Sequence, residues 1–142
     1  MTDAATVSAD LVGRGLALME AGQLTEAADC FTRAAEMDNT IAQYHIAKMQ
    51  LEGWGVPMNY DHAAFWFYKA AVQGNISARN TLGFMYENGL GGWQDFGQAV
   101  KWYALVAMQG NEDAEAALEN MAYLGNEEAE RVLERLAEQA ES

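Results

Sequence analysis

A chain of 142 residues, 51% hydrophobic with a single proline, is long enough to bury a core of its own and too apolar to stay disordered. Eight basic against 21 acidic residues give a net charge of −13, a field that repels nucleic-acid phosphates and anionic membranes, so neither is expected as a partner. No run approaches the ~18 unbroken apolar residues of a membrane span. The N-terminal segment holds Asp3 and Asp10 without Lys, Arg or an apolar stretch of signal-peptide length, and Cys30 is the only cysteine. A cytoplasmic chain without an intrachain disulfide is therefore expected.

In chain order, Leu11, Gly15, Leu18, Gly22, Ala27, Phe31 and Ala34 recur at helical spacing over 8–41, with no long connection between the two helices they imply. In 42–77, Ala42, Ile46, Met49 and Gln50 share one face of a first helix, here called helix A of its repeat. Gly53 and Gly55 end it, and Pro57 delays the next. From Tyr60, the pattern Ala63, Trp66, Phe67, Ala70 and Ala71 describes a second helix, helix B, stopped by Gly74 and Asn75. The stretch 78–113 repeats this plan: helix A from about Ser77, its expected N-cap, to Asn88, a loop over 89–95, and helix B from Phe96 to Gln109. A last helix A reaches Leu124 and Gly125 turns the chain. Asn126 then opens an amphipathic helix that places Ala129, Val132, Leu133 and Leu136 inward.

Sliding the chain by 36 residues superposes Ala42, Met49, Gly53, Gly55, Ala63, Trp66, Ala71, Gln73, Gly74 and Asn75 on Ala78, Met85, Gly89, Gly91, Ala99, Trp102, Ala107, Gln109, Gly110 and Asn111. One hairpin cannot cover its own apolar face, so neighbours must stack. The expected fold is all-α, an α-solenoid of about four antiparallel helix-turn-helix repeats in one repeat domain over 1–142. Its repeats are 8–41, 42–77, 78–113 and a degenerate capping repeat at 114–142.

Ala78, Leu82, Gly83, Tyr86, Gly89, Gly91, Ala99, Trp102, Tyr103, Ala107 and Gly110 resemble the Sel-one-like repeat, a cousin of the tetratricopeptide repeat whose spacing the first copy carries. The copy before it departs at Ala47 and Gln50, where the family prefers glycine and tyrosine, and has Phe67 in place of tyrosine. The resemblance implies an adaptor or scaffold that binds other proteins, not a catalyst. Its motif residues are structural and name no partner.

In α-solenoids the A helices line the concave side, which makes their exposed face the first candidate for partner binding. Leu16, Tyr44, Lys48, Phe84, Glu87, Asn120 and Tyr123 project there, beside Val12, Met19, Glu52 and Asn80. The large side chains among them either anchor a partner or pack against neighbouring A helices. Trp54 and Trp93 stand in glycine-rich loops outside the helical pattern, where each either binds a partner or folds back over a repeat junction. Met49, Met85 and Met121 recur at one repeat position and read as core filler.

Cys30, His45 and His62 are the only conceivable nucleophile and bases, and Cys30 lies on a buried stripe. No phosphate loop, metal-ligand spacing or calcium loop is present, so neither catalysis nor a cofactor is expected. The stretch 111–142 carries ten acidic residues against Arg131 and Arg135. Two readings follow: an adaptor holding a peptide or helix of another protein on its concave A-helix face, or an acidic inhibitor or immunity protein capping a basic partner such as a bacterial toxin.

Overall fold

A computed structural model describes residues 3–142. It contains α1 (Ala4–Glu20), α2 (Leu24–Glu36), α3 (Thr40–Glu52), α4 (Tyr60–Val72), α5 (Ile76–Asn88), α6 (Phe96–Ala107), α7 (Glu112–Tyr123) and α8 (Glu127–Glu141). No strand occurs among the described residues. The helices follow one another as helix-turn-helix pairs, and the fold class is the all-α solenoid.

The first turn of a helix leaves its N–H groups without partners inside the helix, and here short side chains supply them. Asp3, Asn39, Asn59, Asp95, Asn111 and Asn126 each cap a helix by accepting a backbone N–H three residues on. The expected cap at Ser77 is corrected on this point. Asn75 Oδ1 accepts the Ala78 N–H at 2.8 Å, so α5 starts one residue after Asn75, at Ile76. The amide of Asn75 reaches the same N–H that Asn39 and Asn111 reach in α3 and α7. Turns before these helices need left-handed backbone. Gly74 and Gly110 supply it at φ 101° and 86°, whereas Asp38 adopts φ 66° despite its Cβ.

The chain divides into two compact units, 1–78 and 79–142. In the first, α1 packs on α2, α2 on α3 and α3 on α4. Its core joins Leu11, Val12, Ala27, Phe31, Ala34, Ala42, Ile46 and Met49, with Leu24, Val56 and Trp66 half-buried against it. Alanines let the helix axes approach and Phe31 fills the remaining space, worth about 1.5–3 kcal/mol for that ring alone. Gly15 completes this contact, since a Cβ there would lie 2.8 Å from the Phe31 ring. A polar cluster around the buried Gln43 adds to it: Gln43 donates to Ala35 O and Asp38 Oδ1, and accepts from Gln73 Nε2 at 2.8 Å.

In the second unit α7 packs on α6 and α8 around Ala99, Val100, Tyr103, Val106, Ala114, Leu118, Met121 and Ala129. Val132, Leu133 and Leu136 of α8 pack against this core, as the amphipathic pattern requires. Gly83 repeats the role of Gly15, because a Cβ there would stand 2.7 Å from the Tyr103 ring. Met49, Met85 and Met121 are all buried.

Candidate functional site

The first unit carries Leu16 exposed on α1 and Tyr44 with Lys48 one turn apart on α3. Tyr44 is half-buried, edge-on to His45 at 5.5 Å between centroids and tilted against Phe67 at 6.0 Å, so part of its ring packs inside the unit. The Lys48 ammonium stands 5.9 Å over the Trp54 ring, joining an A-helix candidate to a loop candidate. Such a cation–π contact is worth about 0.5–1 kcal/mol at an exposed site. His45 stacks on Phe31 at 4.9 Å, and burial, then the positive charge of Lys48, hold its pKa below the ordinary imidazole value. Cys30 is buried. Among the described residues no cluster of His, Cys, Asp and Glu is arranged to hold a metal ion, and no helix is long and apolar enough to cross a membrane.

In the second unit, Asn80 and Phe84 line an open groove of about 310 Å³ together with Thr81, Tyr103, Asp113 and Ala117. Phe84 is 50% exposed. Asn80 donates to Asn111 Oδ1 at 3.4 Å, while its own Oδ1 is shielded from solvent with no hydrogen-bond partner. A buried acceptor left unmatched costs about 1–3 kcal/mol.

Glu87, next on the same helix, accepts the Tyr103 hydroxyl at 2.9 Å. Burial first, then this hydrogen bond and the carboxylate charge, push the Tyr103 pKa far up, so the phenol stays neutral. Glu87 also lines a second pocket, of about 240 Å³, with Phe96, Met121, Leu124, Gly125 and Asn126. On α7, Asn120 and Tyr123 are exposed, and Tyr123 retains 88% of its surface. Trp93 retains 93%, far more than Trp54.

Two side chains of this surface, Phe96 and Leu124, were not among the sequence candidates, because both fall at helix ends where periodicity carries no facing. One signal does exist in the sequence: Leu24, Tyr60 and Phe96 follow one another at intervals of 36 residues as the first residue of a B helix. An apolar residue there needs cover from elsewhere.

With this geometry in hand, the likeness to known proteins is specific. A family model of the Sel1 repeat matches residues 12–39, 40–75 and 76–111. The chain resembles a Sel1 repeat protein of Oxalobacter formigenes at 39% identity and a TM-score of 0.66, over 68% of this chain and 28% of that one. It therefore spans little more than a quarter of that protein's length. The cysteine-rich protein B of Helicobacter pylori, at 20% identity and a TM-score of 0.59 over 77% of this chain and 95% of that one, shares the fold. No curated protein matches. Three consecutive matches cover well over half of the sequence, and the chain belongs to the Sel1 repeat family.

Proposed function

We propose that this chain is an adaptor whose A-helix surface holds a peptide or helix of a partner protein. Sel1 repeats are protein-interaction scaffolds built on a non-catalytic repeat fold, and the proposal adds the face and the side chains. The observation that carries it is the groove on the second unit, where a half-exposed Phe84 lies beside an Asn80 oxygen lacking a partner. A half-exposed aromatic anchor in an open groove suits a segment that brings an apolar side chain. Tyr44, Lys48 and Leu16 would serve in the same way on the first unit, and Asn120 and Tyr123 on α7. Purified partner, identified by affinity capture from native cells, tests this by calorimetry. Phe84→Ala should weaken binding at least about tenfold. Unchanged affinity in both Phe84→Ala and Tyr44→Ala would remove the A-helix face as the site.

A second reading is favoured by the net charge of −8 over 111–142, where Tyr123 and Leu124 are also exposed. In it the chain caps a basic protein, such as a bacterial toxin, with rapid association that collapses as salt rises. Stopped-flow association with that protein across ionic strengths distinguishes the two, since an apolar groove contact is far less sensitive to salt. The chain has no catalytic role in either reading, and both place it in the cytoplasm. Slow labelling of native Cys30 by a thiol reagent and recovery of the protein in the cytosolic fraction would support these two points.

A further inference from the structure

Leu24 and Phe96 hold the same place in their units, the first residue of a B helix, but the two units cover that place differently. In the first unit the connection 53–59 of the next hairpin closes over Leu24. Gly55 sits so close that a Cβ there would lie 2.5 Å from the Leu24 carbonyl, and Val56 packs on the same core as Leu24. In the second unit the next connection is only 124–126, four residues shorter than 53–59. Phe96 is left 47% exposed beside the 240 Å³ pocket that it forms with Met121 and Leu124.

The first unit thus shows how this place is covered: by a bent segment that carries the aliphatic Val56 onto the core. Charge narrows the source of such a segment in the second unit. Glu87 is on the pocket wall, and Glu128 lies near Gly97, whose added Cβ would be 3.8 Å from Glu128 Oε2. Glu127 opens α8 beside the capping Asn126, and no Lys or Arg lines the pocket. We propose that the niche formed by Phe96, Met121 and Leu124 captures an aliphatic side chain flanked by Arg or Lys on a loop segment of a partner protein, with Glu87 and Glu128 meeting the basic neighbours. This rests on the reading that the chain binds a protein and adds a second contact surface, away from the groove at Phe84.

The test uses the full chain and a short fluorescent peptide with Leu between two Arg residues, followed by anisotropy. Leu→Ala in the peptide should weaken binding about tenfold, the worth of burying one aliphatic side chain, and Arg→Gln should do likewise. Leu124→Ala and Glu87→Gln in the chain should reproduce those losses. Leu124 is exposed and Gln can still accept from Tyr103, so both variants should fold normally, as circular dichroism would check. Ile41→Ala, on an exposed residue of α3, should bind like wild type. Equal binding of the peptide and its Leu→Ala version overturns the proposal. So does loss of binding in Phe84→Ala with Leu124→Ala unaffected, which would put the peptide in the groove and leave the proposed function standing. Self-association of the chain that Leu124→Ala abolishes would assign the niche to a second copy and also overturn it.

Discussion

The two units carry the same parts in opposite order. Residues 1–78 have a short connection, 21–23, followed by a long one, 53–59, whereas in 79–142 the long connection, 89–95, comes first and the short one, 124–126, comes last. A long connection can lie over the hairpin before it, as Gly55 and Val56 do near Leu24, while a short one leaves the preceding B helix bare, as at Phe96. Whether the first residue of a B helix is covered therefore follows the loop length of the next repeat. A similar trade is seen in polar contacts. The first unit locks a turn with Asp38, Gln43 and Gln73, whereas the second leaves Asn80 with an unmatched oxygen in its groove.

The largest expected effect attacks the closure of the first unit. Gly55 has φ 72°, and a Cβ there would meet the Leu24 backbone, so Gly55→Ala should cost about 3 kcal/mol in urea unfolding. Gly53 has nearly the same dihedral, φ 74°, but its added Cβ would meet Met58 at an ordinary 3.4 Å. Gly53→Ala should therefore cost only about 1 kcal/mol. Equal losses at the two glycines would show that dihedral strain, not the approach to Leu24, holds the loop.

Next come the two matching helix contacts. Gly15→Ala and Gly83→Ala should each destabilise by about 1–2 kcal/mol, overpacking against Phe31 and Tyr103 outweighing the gain in helix propensity. Thermal unfolding would measure both, and a stabilising change at either would mean that its ring moves aside freely. A smaller effect is expected for Tyr103→Phe, which removes only the hydrogen bond to Glu87 and should cost about 1 kcal/mol or less in the same unfolding measurement.

The smallest effect is on pH dependence, and it belongs to the first unit alone. His45 is held below its ordinary pKa by burial and Lys48, so the unfolded chain takes up a proton before the folded one does. Its contribution to stability is present above about pH 6.5 and is lost as pH falls from there through the folded pKa. NMR titration should place His45 below the ordinary value, and His45→Gln should flatten the decline in stability between about pH 7 and 5.5. A His45 pKa at or above the ordinary value would contradict the burial argument.

Much of the fold was legible in residue order because the repeat is written in glycines, alanines and large aromatics whose roles are local. Gly53 ends a helix, Ala63 and Ala99 allow close approach, and Phe67 and Tyr103 fill the gaps, all without knowledge of what lies further along the chain. The cap of α5 was misplaced because Ser77 and Asn75 are both good capping residues, and only geometry shows which oxygen reaches the Ala78 N–H. Site residues were harder to read. The spacing that put Tyr44 on an outer face says nothing of Phe67, which turned out to hold part of its ring. Phe96 and Leu124 depend on what a neighbouring hairpin fails to cover, a property of loop length that no periodicity within one helix records.

Methyl NMR of the full chain, titrated with the Leu-and-Arg peptide, sets the open niche of the second unit against the closed one of the first in a single sample. Met121 and Leu124 methyl signals should shift with the peptide while those of Leu24 and Val56 stay fixed. Signals that all remain still, or shifts of Leu24 and Val56 as large as those of Leu124, would contradict this.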